Sequence, residues 1–118
     1  MKAKIVHIEA QIIPDQYADT SYLGQAEFED RNEAFKRGDF SFIGIRLKAG
    51  IVLKSKQGYT IVGTEITTPG LWGIEDDSGD EYFESVAKDE EHTLTEMLRA
   101  LGFKNKAIRK ALAKRRSL

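Results

Sequence analysis

The chain of 118 residues contains no cysteine, and this absence excludes several classes of protein. A disulfide framework, a thiolate nucleophile and a cysteine-ligated zinc site all require thiols. Proline occurs only twice, histidine twice and tryptophan once. No apolar run is long enough for a membrane span, and the N-terminus lacks the pattern of a signal peptide. We therefore expect a single domain in a reducing cytoplasm.

Acidic and basic residues are unevenly distributed, although the formal net charge is only −1. Residues 103–118, called here the basic tail, hold seven of the 18 basic residues and no acidic one. The first 102 residues hold the other 11 basic residues and all 19 acidic ones, a net charge of −8. Nine of those acids lie in residues 75–91, where Lys88 is the only basic residue. This layout indicates a body with an acidic surface and a basic appendage.

Alternation of apolar and polar residues predicts a β-sheet. In the first strand, every second residue from Val6 to Ile12 should face the core, and His7 should face outward. The longest alternating run has 16 residues, which is long for one strand, so Gly44 or Gly50 is expected to mark a bulge or bend. The predicted strands are residues 3–13, 40–55, 59–68 and 71–75, with Gly58 in the hairpin turn between the second and the third.

Apolar residues at spacings of three and four predict three helices, at residues 26–37, 79–101 and 104–116. Ser78, followed three residues later by Glu81, matches the capping-box pattern at the start of the second helix. The expected apolar stripe of that helix consists of Phe83, Val86, Ala87, Leu94, Met97, Leu98 and Leu101.

These elements predict an α+β fold. A meander of three or four mostly antiparallel strands should pack on the long helix of the C-terminal half. A short helix should lie between the first two strands, and a basic helix should end the chain. Residues 1–102 are expected to form the domain, and residues 103–118 the basic C-terminal helix or tail. Exposed hairpin edges leave a homodimer open.

No pattern in the sequence predicts a catalytic group, a cofactor or a metal site. The acidic run that begins at Asp76 suggests calcium, but the EF-hand pattern requires glycine at its sixth position and glutamate at its twelfth. Counted from Asp76, those positions hold Glu81 and Ala87. The two histidines have no partner in a recognisable hydrolytic pattern. We expect His7 on the outer face of an edge strand and His92 on a helix surface.

The aromatic residues leave two questions open. Trp72 lies between two glycines and could fill one end of the core, the interpretation that we favour, or anchor a partner, because tryptophan is enriched in interface hot spots. Phe40 and Phe42 lie on the sheet face opposite the aliphatic one. Either the helix at residues 26–37 covers them, or they form an exposed patch with basic neighbours.

The basic tail has three interpretations. It could contact the phosphates of a nucleic acid, and each neutralised phosphate would add salt-dependent affinity. It could instead lie along the acidic residues 75–91 of its own chain, since the charges of the two segments nearly balance. It could also be a frayed, solvated terminus.

Two segments, "SYLGQAEFEDRNEAFKRGDFSFIGIRLKA" and "TEITTPGLWGIEDDSGDEYFESVAKDEEHTLTEMLRALGF", cover about residues 21–103. They resemble a family of small uncharacterised proteins of bacteriophages and bacterial mobile elements that have a "GLWGIE(S/D)DS…ALGF" segment. If a phage encodes the chain, the expected location is the host cytoplasm. The resemblance implies no assigned activity and no catalytic residues. It does imply a genomic neighbourhood in which small proteins bind and block host machines, including CRISPR complexes. The matching positions are Glu29, Asp30, Arg31, Phe35, Arg37, Gly38, Asp39, Phe40, Phe42, Gly44, Ile45, Arg46 and residues 71–75.

The first functional hypothesis is a non-enzymatic protein-interaction module, and more specifically a phage-type, anti-CRISPR-like inhibitor. Its acidic surface would occupy a basic nucleic-acid channel of a host protein complex, because complementary charge speeds encounter and sets specificity. The expected partner-binding residues are Trp72, Glu75, Asp76, Asp77, Asp80, Glu81 and Glu84.

Two alternatives remain. One is an accessory protein that binds nucleic acid through the basic tail and the basic face of the second strand. The other is a small-ligand binder or enzyme with a pocket near Trp72. The residues expected to contact nucleic acid are Arg46, Lys48, Lys106, Arg109, Lys110, Lys114, Arg115 and Arg116.

Overall fold

A computed structural model describes residues 2–118, which form one antiparallel sheet with helices packed against it. This confirms the predicted α+β class. Among these residues, no helix is both long and apolar enough to cross a bilayer. The elements in chain order are β1 (Lys2–Pro14), two short 3-10 turns (Ser21–Gly24 and Ala26–Phe28), α1 (Glu29–Lys36), β2 (Phe42–Lys54), β3 (Thr60–Thr67), β4 (Leu71–Glu75), α2 (Asp80–Ala100) and α3 (Asn105–Ala113).

Strand β2 is the centre of the sheet. Antiparallel β1 runs along one side of it, while β3 and β4 share the other side, β3 beside the second half of β2 and β4 beside its start. The β2–β3 hairpin turns at Gly58, whose φ of +88° is the left-handed conformation that glycine adopts most easily. As the alternation predicts, one face of β2 is buried, through Ile43, Ile45, Leu47, Ala49 and Ile51.

The sheet has β-bulges opposite two glycines of β2, Gly44 and Gly50. In each bulge, the extra residue belongs to the neighbouring strand and not to β2. In β1, the register shifts between Ile5 and His7, so that Val6 is unpaired. The bulge reverses the alternation, because one extra residue exchanges the faces. Ile5 therefore packs against the core, and Val6 is 48% exposed. The predicted inward face of β1 is wrong at Val6, and Ile12 on the same edge strand is 45% exposed.

Helix α2 covers the buried face of the sheet, but it does not begin as predicted. Gly79, with φ +99°, precedes the first helical residue, and no side chain caps the helix. The Ser78 hydroxyl donates to the carbonyl of Glu75 at 2.6 Å and thus closes the preceding turn. The predicted capping box is therefore wrong. Five residues of the predicted stripe are buried, but Leu101 lies just past the helix end and is 58% exposed.

Helix α3 packs on the same core through Ile108, which is 1% exposed. The helix ends at Ala113, three residues earlier than predicted. Beyond it, the backbone of Arg116 runs beside β1: its N–H donates to the carbonyl of Ile8 at 3.1 Å, and its carbonyl accepts from Ala10 at 3.2 Å. The end of the basic tail therefore lies along the outer edge of β1.

A second, aromatic cluster lies under α1. Phe40 and Phe42 are 4% and 5% exposed, and the Phe35 ring lies 5.3 Å from that of Phe42, centroid to centroid. Phe28 contributes from the 3-10 turn before the helix. The short helix covers both phenylalanines, so the alternative of an exposed aromatic patch is wrong.

Candidate docking surface around Trp72

Trp72 is placed by a bulge in β4. Ile74 pairs with Ile43 and Leu71 with Ile45, so Trp72 and Gly73 together face the single residue Gly44. Gly73 adopts φ +74° in this bulge. The indole ring lies against Gly44, on the sheet face opposite the core, and its Nε1–H donates to the carbonyl of Pro69 at 2.7 Å.

Trp72 is 41% exposed, so the favoured prediction that it fills the core is wrong. The bulge is the reason, because it turns the indole toward the outer face. Tyr17, Leu71 and Tyr82 are exposed nearby, at 94%, 44% and 44%. We call these four residues the Trp72 surface.

Two open depressions flank the indole. The first has a volume of about 470 Å³ and is lined mainly by Tyr22, Leu71, Ser78 and Tyr82. The second has a volume of about 540 Å³ and is lined by Ile13, Pro14, Asp15, Gln16 and Tyr17. Trp72 lines both, so it stands as a ridge between two shallow hollows.

Asp15 holds the loop that follows β1 against this ridge. Its Oδ2 accepts from the backbone N–H of Gly73 at 2.8 Å, and its Oδ1 accepts from the N–H of Tyr17 at 3.0 Å. Its own N–H donates to the carbonyl of Phe42 at 2.9 Å. The sequence predicts only that Pro14 and Asp15 end the strand. An aspartate that follows a strand indicates an Asx turn, such as the contact with Tyr17. The contact with Gly73 spans 58 residues, so no local sequence pattern predicts it.

The acidic residues next to Trp72 are tied to α1 by Arg31. The guanidinium makes a bidentate contact with Asp77, at 2.8 and 3.0 Å, and reaches Glu75 at 3.1 Å. It also lies 3.9 Å from the centre of the Phe40 ring. Asp77 and then Glu75 raise the pKa of Arg31, and Arg31 lowers the pKa of Asp77.

Two neighbouring groups complete this network. The Tyr22 hydroxyl donates to Glu75 at 3.0 Å, and burial together with that carboxylate raises the pKa of Tyr22 to about 12. Asp76 accepts from the N–H and the hydroxyl of Ser41, at 3.1 and 2.9 Å. Glu75, Asp76 and Asp77 thus connect parts of the fold as well as carrying charge.

The remaining predicted acidic residues lie at the start of α2. Asp80 and Glu81 are exposed in its first turn, and neither forms an ion pair with another residue of the described range. Glu84 instead pairs with Arg115. Of the seven predicted partner-binding residues, Trp72, Asp80 and Glu81 are the most available to a partner.

Arg115 is an internal cation. Its side chain is only 7% exposed, and its Nε donates to Glu91 at 3.0 Å while its Nη2 contacts Glu84. Burial alone would lower the pKa of Arg115, but the two carboxylates outweigh it and raise that pKa. This contact matches the intramolecular interpretation of the basic tail, and Arg115 is not an exposed site for phosphate.

The basic face of β2 is also occupied by internal contacts. The Lys48 ammonium lies 3.0 Å from Glu9 and 3.4 Å from Glu65, and Glu9 raises its pKa, while Lys48 lowers the pKa of Glu9. Arg46 donates to the side chain of Gln11 at 3.0 Å. Arg116 lies 3.9 Å from Glu9 at the far end of the same group. Few free charges therefore remain on this face.

The basic residues on the outer side of α3 and in the turn after it are exposed, in contrast to those of β2. Lys106, Arg109, Lys110 and Lys114 are all exposed, and none has an ion-pair partner within residues 2–118. Ile108 anchors the opposite side of the helix in the core. The four cations are therefore presented to solvent on a docked helix.

The described residues contain no group of three or more histidine, aspartate or glutamate side chains arranged to hold a metal ion. His7 lies against Gly50 on the outer face of β1, and His92 is exposed on α2, as expected. Comparison of the chain with protein-family models, with curated proteins and with solved structures finds no match.

Proposed function

We propose that this protein is a binding module that docks a protein partner on the Trp72 surface. The observation that carries the proposal is the fixed exposure of Trp72, which rests against Gly44 and donates to Pro69 while 41% of it remains open to solvent. Exposed aromatic residues held in one conformation lose little entropy on binding and dominate interface hot spots.

The charges around the ridge favour a basic partner. Within residues 2–118, Asp80 and Glu81 form no ion pair, and Arg31 only partly offsets the charges of Glu75 and Asp77. We infer that the partner presents an apolar or aromatic side chain flanked by lysine or arginine. The apolar contact would supply affinity, and the carboxylates would speed encounter and discriminate against acidic competitors.

The shape of the site supports a protein partner more than a small ligand. Small-molecule sites bury most of the ligand in a concave pocket. Here the hollows are open and separated by the indole, a shape that suits a side chain of a partner on each side. The enzyme or small-ligand alternative, and inhibition of a host defence complex, both stay predictions.

Capture from a nuclease-treated bacterial lysate tests the proposal. Wild-type protein is compared with Trp72→Ala and with Tyr59→Ala, a control that removes another exposed aromatic residue, in the β2–β3 turn. We expect a stoichiometric protein with a basic surface to be retained by wild type and Tyr59→Ala and to fall at least about tenfold for Trp72→Ala. Equal recovery by all three would contradict the proposal.

A second candidate function rests on the four exposed cations of α3 and its following turn. Unpaired cations on one side of a docked helix suit the phosphate backbone of a nucleic acid. Fewer residues are available for this contact than the sequence predicts, because Arg46, Lys48 and Arg115 contact other residues of the same chain.

Fluorescence anisotropy with a labelled DNA duplex tests this candidate. The affinity should fall steeply with salt, and neutralising Lys106, Arg109 and Lys110 to glutamine should remove binding. The matched control neutralises Lys2, Lys4 and Lys56, three other exposed lysines far from α3 in the sequence. Binding that is insensitive to the α3 changes would exclude this candidate.

A further inference from the structure

The two outer edges of the sheet differ. The strand order ends at β1 on one side and β3 on the other. On the β1 side, Arg116 hydrogen-bonds to Ile8 and Ala10 and so covers part of the edge. On the β3 side, no strand within residues 2–118 pairs with the outer edge.

The free hydrogen-bonding groups of β3 can be assigned from its register. Thr68 donates its N–H to the carbonyl of Leu47, so its backbone points toward β2. Antiparallel pairing alternates, so Ile66, Thr64 and Val62 also point toward β2. The N–H and C=O groups of the residues between them, Gly63 and Glu65, therefore point outward.

From Val62 to Thr67, this edge lacks the usual features that prevent pairing. Exposed edge strands are normally blocked by lysine, proline or a bulge. The one register shift of β3 leaves Ile61 unpaired at the hairpin end, and the pairs from Val62 to Thr67 are regular. The sequence of β3 has no lysine or proline, and its only charge, on Glu65, lies 3.4 Å from the ammonium of Lys48. Ile61 and Val62, moreover, are 52% and 49% exposed. Such an edge is competent to accept another strand.

We propose that the occupant is a second copy of this chain, whose β3 pairs antiparallel about a two-fold axis at Thr64. In this register, Val62 lies opposite the partner's Ile66 on the same face as the core. Gly63 lies opposite the partner's Glu65, and the outward backbone groups of these two exchange hydrogen bonds. A register centred on Gly63 would instead place Glu65 opposite the partner's Ile61. The apolar match therefore selects Thr64.

Charge complementarity supports self-pairing in the antiparallel direction. The hairpin end of the sheet, residues 2–6 and 52–62, carries four lysines and no acid. In antiparallel pairing, the basic hairpin end of each copy extends past the two-fold axis toward β4 of the other copy. At the end of that strand, residues 75–77 are all acidic. Parallel pairing would bring the two basic ends together, which like charges oppose. The four lysines are Lys2, Lys4, Lys54 and Lys56.

A cysteine cross-link tests the pairing, because the natural chain has no cysteine. At the two-fold axis the Cα atoms of the two Thr64 residues would lie about 4.5 Å apart, within the range of a disulfide. We expect Thr64→Cys to form a covalent dimer under mild oxidation. The control is Thr60→Cys, an exposed threonine of the same strand whose two copies would lie roughly 27 Å apart at about 3.4 Å per residue.

The mass in solution provides the second readout. Wild-type protein should have twice the monomer mass of 13.3 kDa by light scattering, and Thr64→Lys should return it to the monomer mass while Thr60→Lys does not. Circular dichroism would verify that the variants are folded. A wild-type monomer at every concentration, or equal cross-linking at positions 60 and 64, would overturn the proposal.

Discussion

The indole ring of Trp72 occupies the space in which a Cβ atom at Gly44 would lie. The pair explains why a glycine lies in the buried first part of β2, where a glycine otherwise weakens a strand. Gly44 allows the aromatic ring to approach the backbone of β2, and the hydrogen bond to Pro69 fixes its orientation. The packing of the sheet therefore holds Trp72 in its exposed position.

Gly44→Ala should displace the indole. The added methyl group overlaps the ring, and we expect a loss of about 1–3 kcal/mol in the free energy of unfolding, as for other overpacked sites. Trp72 is the only tryptophan, so its fluorescence emission reports the change directly. The control is Gly24→Ala, where a Cβ meets no atom within 4 Å. An unchanged emission spectrum in Gly44→Ala would contradict this account of the pair.

Arg31→Gln should raise the pKa of Asp77 toward its ordinary value of 3.8. Because Arg31 lowers that pKa in the folded state, the contact contributes stability above about pH 3.8, which is lost as the pH falls through the folded pKa. NMR titration of the carboxyl carbon measures both values. Arg37→Gln is the control, since the only ion pair of Arg37 among the described residues is with nearby Asp39. Equal Asp77 titrations in wild type and Arg31→Gln would exclude the contact.

Tyr22 should ionise at a higher pH in the folded protein than in the unfolded chain. Its pKa is raised to about 12, so the unfolded chain, with a value near 10, loses this proton first. The corresponding stability is complete below about pH 10 and is lost as the pH rises toward 12. Absorbance titration of the folded protein should contain a late step near pH 12, and Tyr22→Phe should remove it. A late step that persists in Tyr22→Phe would refute the assignment.

Arg115→Met should weaken the attachment of α3. The change leaves Glu84 and Glu91 without their partner, and we expect a loss of about 1–3 kcal/mol. The value is below the roughly 3–5 kcal/mol of fully buried pairs, because both carboxylates keep some access to water. Urea unfolding measures the difference. Lys114→Met, at an exposed neighbouring position, should change stability little, and equal losses in the two variants would argue against an internal role for Arg115.

Periodicity was sufficient to predict much of the fold. The alternation of β2, the turn at Gly58 and the apolar stripe of α2 are local patterns, and each predicts an element that the structure contains. The unpaired Val6 and the Trp72–Gly73 bulge could not be predicted in this way. A bulge depends on the register with a distant strand, and it exchanges the faces that alternation assigns.

The candidate site was predicted only in part. Trp72 and the acidic start of α2 were identified from composition, whereas Arg31 and Asp15 were not. Arg31 contacts Asp77 across 46 residues, and Asp15 contacts Gly73 across 58. Contacts of this separation have no periodic signature, so the sequence predicted only that Asp15 ends a strand and predicted no contact for Arg31. For the same reason, the sequence could not predict whether α1 covers Phe42.

A basic protein partner that docks on Trp72 must change the surroundings of the indole, and the fluorescence of this single tryptophan reports that change. The partner captured from lysate, made recombinantly with each of its tryptophans changed to phenylalanine, is titrated into the purified protein at low and high salt. We expect a blue shift of Trp72 emission as the indole is buried, with slower association at high salt because screening weakens steering by Asp80 and Glu81. Saturable binding without any change in Trp72 emission would contradict docking of the partner on Trp72.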